Sequence, residues 1–129
     1  MNPELRECFR QAVFRGKPLP ADWPEAFAII TAYNQEGRSD PPADNVAADA
    51  SLEAKLRAEG LRIHRVTGGS ADGSHLEPGW AASLSLSDAI DIGRHYRQAA
   101  VFYVRDGRLW LVDCLDGTVE ALGRGFDLI

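Results

Sequence analysis

The chain is poor in cysteine, short of cationic side chains and without a long apolar run. Only two of its 129 residues are cysteines, Cys8 and Cys114. They lie far apart with no C-x-x-C spacing, which argues against a disulfide framework or a zinc knuckle. Cys8 beside Phe9, and Cys114 after Leu111-Val112, read as buried free thiols. No segment reaches the roughly 18–20 apolar residues that a helix needs to span a bilayer, so no membrane association is expected. The start of the chain carries Glu4 and Glu7 and no apolar stretch, which predicts no signal peptide and a cytoplasmic protein. Lys and Arg number 14 against 19 Asp and Glu, a net charge of -5. A phosphate-backbone binder needs clustered cations, so nucleic acid is not an expected partner.

Catalytic signatures are missing as well. Gly68-Gly69-Ser70-Ala71-Asp72-Gly73 is glycine-rich but has neither the P-loop lysine nor the G-x-G-x-x-G spacing. There is no G-x-S-x-G elbow and no H-E-x-x-H pair. Asp72, His75 and Glu77 spell Asp-x-x-His-x-Glu, but three ligands in one short loop without a distant fourth make a weak metal signal. No metal and no cofactor is therefore expected.

What is present describes an ordinary globular domain. Hydrophobic residues make up 45% and charged residues 26% of the sequence. That length suits one domain over residues 1–129. Asn2-Pro3-Glu4 begins a helix in which Leu5, Phe9 and Val13 form a stripe ending near Arg15-Gly16. Pro18, Pro20 and Pro24 then impose an extended connector, with Trp23 as its anchor.

A core over residues 26–114 comes next. Ala26–Tyr33 is nearly all apolar, which suits a central strand. Asp44 or Asn45 caps a helix whose inner side is Val46, Ala50, Leu52 and Leu56. Leu61–Thr67 alternates as a second strand, and a third runs from about His75 to Leu84, with either a bulge at Pro78-Gly79 or a strand beginning only after it. Ser85 or Ser87 caps the next helix. Ala99–Val104 and Arg108–Cys114 form a hairpin turned at Asp106-Gly107. Residues 115–129 are an extension, with Thr118–Leu122 as a short last strand.

This order predicts an α+β fold: a β-α-β-β-α-β, ferredoxin-like, two-layer sandwich with an extra N-terminal helix and a C-terminal hairpin strand. No internal repeat or low-complexity tract interrupts it.

Polar residues collect at the ends of these elements. Thr31 and Asn34 close the first strand, Asn45 opens a helix, Glu77 begins a strand, and Gln98 precedes one. Each also has a local explanation: Thr31 as a β-branched strand former, Asn34 as an Asx turn, Asn45 as a cap. Gln98 serves equally as a cap of the preceding helix or as a member of a buried polar cluster. His75 and Glu77 share a strand face, so a carboxylate can orient an imidazole there. Glu77 is the best candidate for a general base. His64 and His95 have no partners by spacing and read as structural.

Ile29-Ile30-Thr31-Ala32-Tyr33-Asn34, Asn45 at a helix start, Gly68-Gly69, Asp72-Gly73, Glu77 and Gln98-Ala99-Ala100 also resemble a known pattern. It is that of a bacterial family of small proteins catalogued as a domain of unknown function. Its members carry an Ile-Thr-Ala-x-Asn-Pro strand end, a downstream Asn, an acidic strand residue and Gln-x-Ala before the penultimate strand. The resemblance spans about Ala26 to Val112. Gln35 stands where the family has proline, and His75 where it has an aromatic. The resemblance implies that Thr31, Asn34, Asn45, Glu77 and Gln98 belong together, and it implies no reaction or cofactor.

Two functions stand as expectations, and the sequence leaves catalysis undecided. One is a site for a small polar ligand built from those five side chains. The other is a non-catalytic, immunity-like module that pairs with a protein partner. Either suits a monomer or a weak homodimer.

Overall fold

Asn2 starts helix α1 (Pro3–Arg10) by accepting the Leu5 amide on its side chain at 2.7 Å in the computed structural model, which describes residues 1–129. The helix ends at Arg10 and not near Arg15. Val13 and Phe14 leave the helical stripe and enter a strand, β1 (Val13–Arg15), opposite Gly69 and Gly68 of β3 (Ile63–Gly69). Strand pairing wins there because it buries Phe14 almost completely. α1 itself buries none of its residues, so Cys8 is exposed, contrary to the expectation drawn from Phe9 beside it. Cys114 is buried as expected.

The remaining strands are β2 (Ala26–Ile30), β4 (Leu76–Ala82), β5 (Ala100–Arg105), β6 (Arg108–Asp113) and β7 (Val119–Gly125). They form one sheet in the order β1-β3-β4-β2-β5-β6-β7, antiparallel at every step. β2 therefore sits in the middle, as its unbroken apolar sequence predicts. Successive side chains of β2 point to opposite faces. Ala28 and Ile30 join a core with Leu52 and Leu56 of α2 (Pro42–Ala58) and Ala89 and Ile92 of α3 (Leu86–His95). Phe27 and Ile29 join a second core with Phe14, Val66 and Phe102, covered by Phe9, Trp23, Phe126 and Leu128.

Both faces are thus covered, and the sheet curls. Leu128, beyond β7, bridges in parallel to Phe14 of β1, and the Ile129 amide donates to the Phe14 carbonyl at 2.9 Å. Chain flanking one edge of the sheet reaches the strand at the other. β7 is longer than the short last strand expected, and the residues after it are part of the packing.

Pro78-Gly79 neither makes the expected bulge nor delays the strand, which begins at Leu76. β3 and β4 pair without a register shift through Thr67–Pro78 and Val66–Gly79. The ladder to β2 stops at Trp80, so Pro78 lies where β4 has β3 alone beside it and no central ladder is broken. Gly79 is needed for close approach, since a Cβ there would lie 2.5 Å from the Ile30 carbonyl oxygen. The irregularity falls instead between Arg108 and Trp110, where β6 meets β7. At the β5–β6 hairpin the positive φ of Asp106 and Gly107 matches the expected tight turn.

α2 begins at Pro42, two residues before the expected cap, and Pro41 flanks it without a side-chain cap. Its inner face is Asn45, Asp49, Leu52 and Leu56, at i, i+4, i+7 and i+11. Val46 is 61% exposed and Ala50 also faces solvent, so the expected inner side is corrected there. Asp49 is held by Arg65 through two hydrogen bonds of 2.7 and 2.9 Å. That guanidinium also stacks 3.8 Å over the Trp80 ring, tying α2 to β3 and β4.

Candidate functional site

The chain leaves the sheet at Ile30, and the next four residues are fixed by side chains. Thr31 donates its hydroxyl to the Pro78 carbonyl at 2.8 Å and accepts the Tyr33 amide at 3.0 Å. Asn34 then adopts φ +51°, a left-handed conformation that asparagine tolerates better than most residues. That turn directs the chain away from β2 and into the loop before α2.

Asn34 is the hub of a polar network at this strand end. Its amide nitrogen Nδ2 donates to Glu77 Oε1 at 2.9 Å. Its Oδ1 accepts from Asn45 Nδ2 at 3.0 Å and from the Asp40 amide at 3.1 Å. Its backbone N–H donates to Asn45 Oδ1 at 2.8 Å. Asn45 therefore grips both the backbone and the side chain of Asn34, from inside α2 and not as its cap. Asp40 closes the loop by accepting the Gln35 amide at 3.0 Å.

Gln98 approaches from the other side. Its Nε2 donates to the carbonyls of Tyr33 at 3.1 Å and Tyr96 at 3.2 Å. All five side chains expected to belong together thus act on one stretch of chain, Thr31 to Asn34. They do so as two groups. Asn34, Asn45 and Glu77 bond directly to one another, whereas Thr31 and Gln98 hold the adjoining backbone.

A cleft of about 510 Å³ opens against this network. Thr31, Asn34, Glu77 and Gln98 line it, and Asn45 stands behind Asn34. The opposite wall is apolar, built from Leu5 and Phe9 of α1, Phe14 of β1 and Phe102 of β5. Glu77 reaches the cleft with its side chain 21% exposed. Its Oε1 holds Asn34, and no side chain or backbone group donates to its Oε2. His75 Nε2 lies 3.5 Å from Oε1, so the expected histidine–carboxylate pair forms at the rim, with His75 largely exposed.

Asp72 does not join them. Its carboxylate accepts the Ser74 amide at 3.0 Å and the hydroxyls of Ser74 and Ser70 at 2.7 and 2.8 Å. Those bonds, the amide first, pull its carboxyl down to about 2. It serves the β3–β4 turn. His64 is tied by Nε2 to the Lys17 carbonyl at 2.7 Å, and His95 packs edge-on to Tyr96.

A family model described as a protein of unknown function (DUF3293) matches residues 30–101. The chain belongs to that family. The matched segment starts at the last residue of β2 and stops within β5. All five side chains of the network fall inside it, while α1, β1, β6 and β7 fall outside. No curated protein and no solved structure matches the chain.

Sequence reasoning missed Asp40 and the aromatic wall. A signal for Asp40 existed in Ser39-Asp40-Pro41, where an Asp before proline favours a side-chain-capped turn. Phe9, Phe14 and Phe102 come from three elements, and no local pattern links them.

Proposed function

We propose that this protein binds a small polar ligand in the cleft beside the end of β2, through Thr31, Asn34, Asn45, Glu77 and Gln98. One observation carries the reading: Glu77 lines a cleft of ligand size, and one of its carboxylate oxygens has no intramolecular donor. Clefts of about 300–1,000 Å³ with an apolar wall and a few converging polar groups are the usual form of small-molecule sites. In this reading Glu77 is the contacting group. Asn34 aims it, Asn45 locks Asn34, and Thr31 with Gln98 hold the strand end rigid.

If a reaction takes place there, Glu77 is the group placed to accept a proton. We assign the segment β2-α2-β3-β4-α3-β5 to the ferredoxin-like arrangement, since its strands stand in the order β3-β4-β2-β5. Free thiols, one of them exposed, suit the reducing cytoplasm. The alternative, an immunity-like module recognising a protein, draws on β7, which pairs with β6 alone, begins at exposed Val119 and follows exposed Leu115.

A thermal-shift screen with metabolites, nucleotides and metals decides between these readings. A ligand that binds the folded state alone at about a hundred times its Kd adds roughly 2.7 kcal/mol of stability and raises the melting temperature. The effect should vanish in Glu77→Gln, which keeps an acceptor for Asn34 and so melts close to the parent. A silent screen, together with a Glu77→Gln protein that melts far lower, would mean that the network is structural only.

A further inference from the structure

Resting on that cleft reading, we infer that the ligand is an amphipathic organic cation. Its flat apolar body packs on the aromatic wall, and an amine, amidine or guanidine head meets the unengaged oxygen of Glu77. The wall is an edge-on cluster: Phe102 lies 4.9 Å from Phe14 and 6.0 Å from Phe9, centroid to centroid. Such a surface rewards a flat apolar body by area and by edge-to-face contact.

The charge pattern selects the head group. Glu77 is the one carboxylate among the residues lining the cleft. Arg38, the arginine that lines it, is already engaged by Glu36 at 3.4 Å and Asp40 at 3.6 Å. Arg15, on the neighbouring strand, donates to the carbonyls of Ser70 and Ala71. The sole basic side chain within ion-pair distance of Glu77 is the exposed ring of His75. A partly buried carboxylate held by one amide is left undercompensated, and a ligand cation supplies what the fold does not. An anion would meet Glu77 as a like charge. A neutral ligand would leave its charge unmatched.

The test uses four probes against the whole chain, followed by calorimetry and thermal shift. Benzamidine has both the flat body and the cationic fork, benzamide the body with a neutral head, benzoate an anionic head, and methylguanidine the fork alone. Benzamidine should bind best, about tenfold or more tighter than benzamide, a difference worth roughly 1.4 kcal/mol. Glu77→Gln should erase that preference. Phe9→Ala, on a helix that covers the second core without burying any of its own residues, should weaken benzamidine while leaving its margin over benzamide. Equal binding of benzamidine and benzamide, or benzamidine binding that Glu77→Gln leaves unchanged, overturns the assignment. A neutral or anionic metabolite that binds in the cleft while benzamidine does not also overturns it, but leaves the ligand-site reading standing. Silence from every probe and every metabolite overturns both.

Discussion

At Asn34 a backbone demand and a side-chain demand fall on the same residue. Its φ of +51° suits Gly, Asn or Asp, and its three side-chain hydrogen bonds need an amide that both donates and accepts. Asn34→Gly keeps the turn but removes the side chain, and should cost about 1–3 kcal/mol in urea unfolding. Asn34→Asp should cost more at pH 7. It replaces the donor 2.9 Å from Glu77 with a second carboxylate, and acidification should recover part of the loss. Equal stability of the Asp and Asn proteins at pH 7 would refute this account of the hub. Cys114 makes a second test. Burial first, then the charge of Asp113, pushes its thiol up from 9.0 to about 11. The unfolded chain then ionises first as pH rises, so this residue's stabilisation is complete below pH 9 and is lost between about 9 and 11. Melting temperature should fall more steeply across that window in the parent than in Cys114→Ala. Thr31, Asn34, Asn45, Glu77 and Gln98 stood out as polar residues at element ends, but only the family resemblance grouped them, since local pattern carries no information on contacts between segments. Cys8 was misread because Phe9 beside it is apolar, while the helix turns Cys8 outward with Glu7.

Among the elements, α2 and α1 depart most from what their sequences suggest. The inward face of α2 begins with Asn45 and Asp49, so counting apolar residues rotates the helix toward Val46. The polar half is stable because both inward side chains are bonded, one to Asn34 and one to Arg65. α1 is attached by charge as well as by Phe9 against the second core. Arg6 reaches Asp113 and Glu120 at 3.1 Å each, and Arg10 reaches Glu120 at 2.7 Å. The Arg10 hydrogen bond in turn holds the Glu120 carboxyl below its ordinary range. With the folded pKa lowered, this contact is complete above the ordinary glutamate value and weakens as pH falls through the depressed one. Glu120→Gln should therefore speed amide exchange across Pro3–Arg10 and hardly move the melting temperature, and added salt should do the same to the parent. Since α1 carries Leu5 and Phe9 into the cleft, the same change should weaken any ligand bound there. Unchanged exchange in α1 would mean that its apolar contacts, and not these ion pairs, hold it.

The whole molecule depends on contacts between the two ends of the chain. Apolar strands alternating with longer helical segments made the order of elements from β2 to β5 readable, although the inward face of α2 was not. β1 has three residues, too few to show a strand period, and the two glycines of β7 hide its second half, beyond the short strand expected over Thr118–Leu122. The pairing of Leu128 with Phe14 joins distant positions, and local periodicity carries no information about it. Those contacts nonetheless finish the second core. Phe126 lies 5.5 Å from both Phe14 and Phe27, and Arg124 donates to the carbonyls of Arg10 and Ala12. Removing residues 126–129 should uncover Phe14 and Phe27 and release β1 from the tail. The lost apolar burial should lower unfolding free energy by on the order of 2–4 kcal/mol, read as a shift of the urea midpoint. Phe126→Ala alone should account for the larger part, because the ring provides most of that contact. Phe14 also forms part of the cleft wall, so the truncated chain should lose benzamidine affinity although no residue of the polar network has changed. A truncated chain that unfolds at the parent's midpoint would show that the curled sheet is held by its ladders alone.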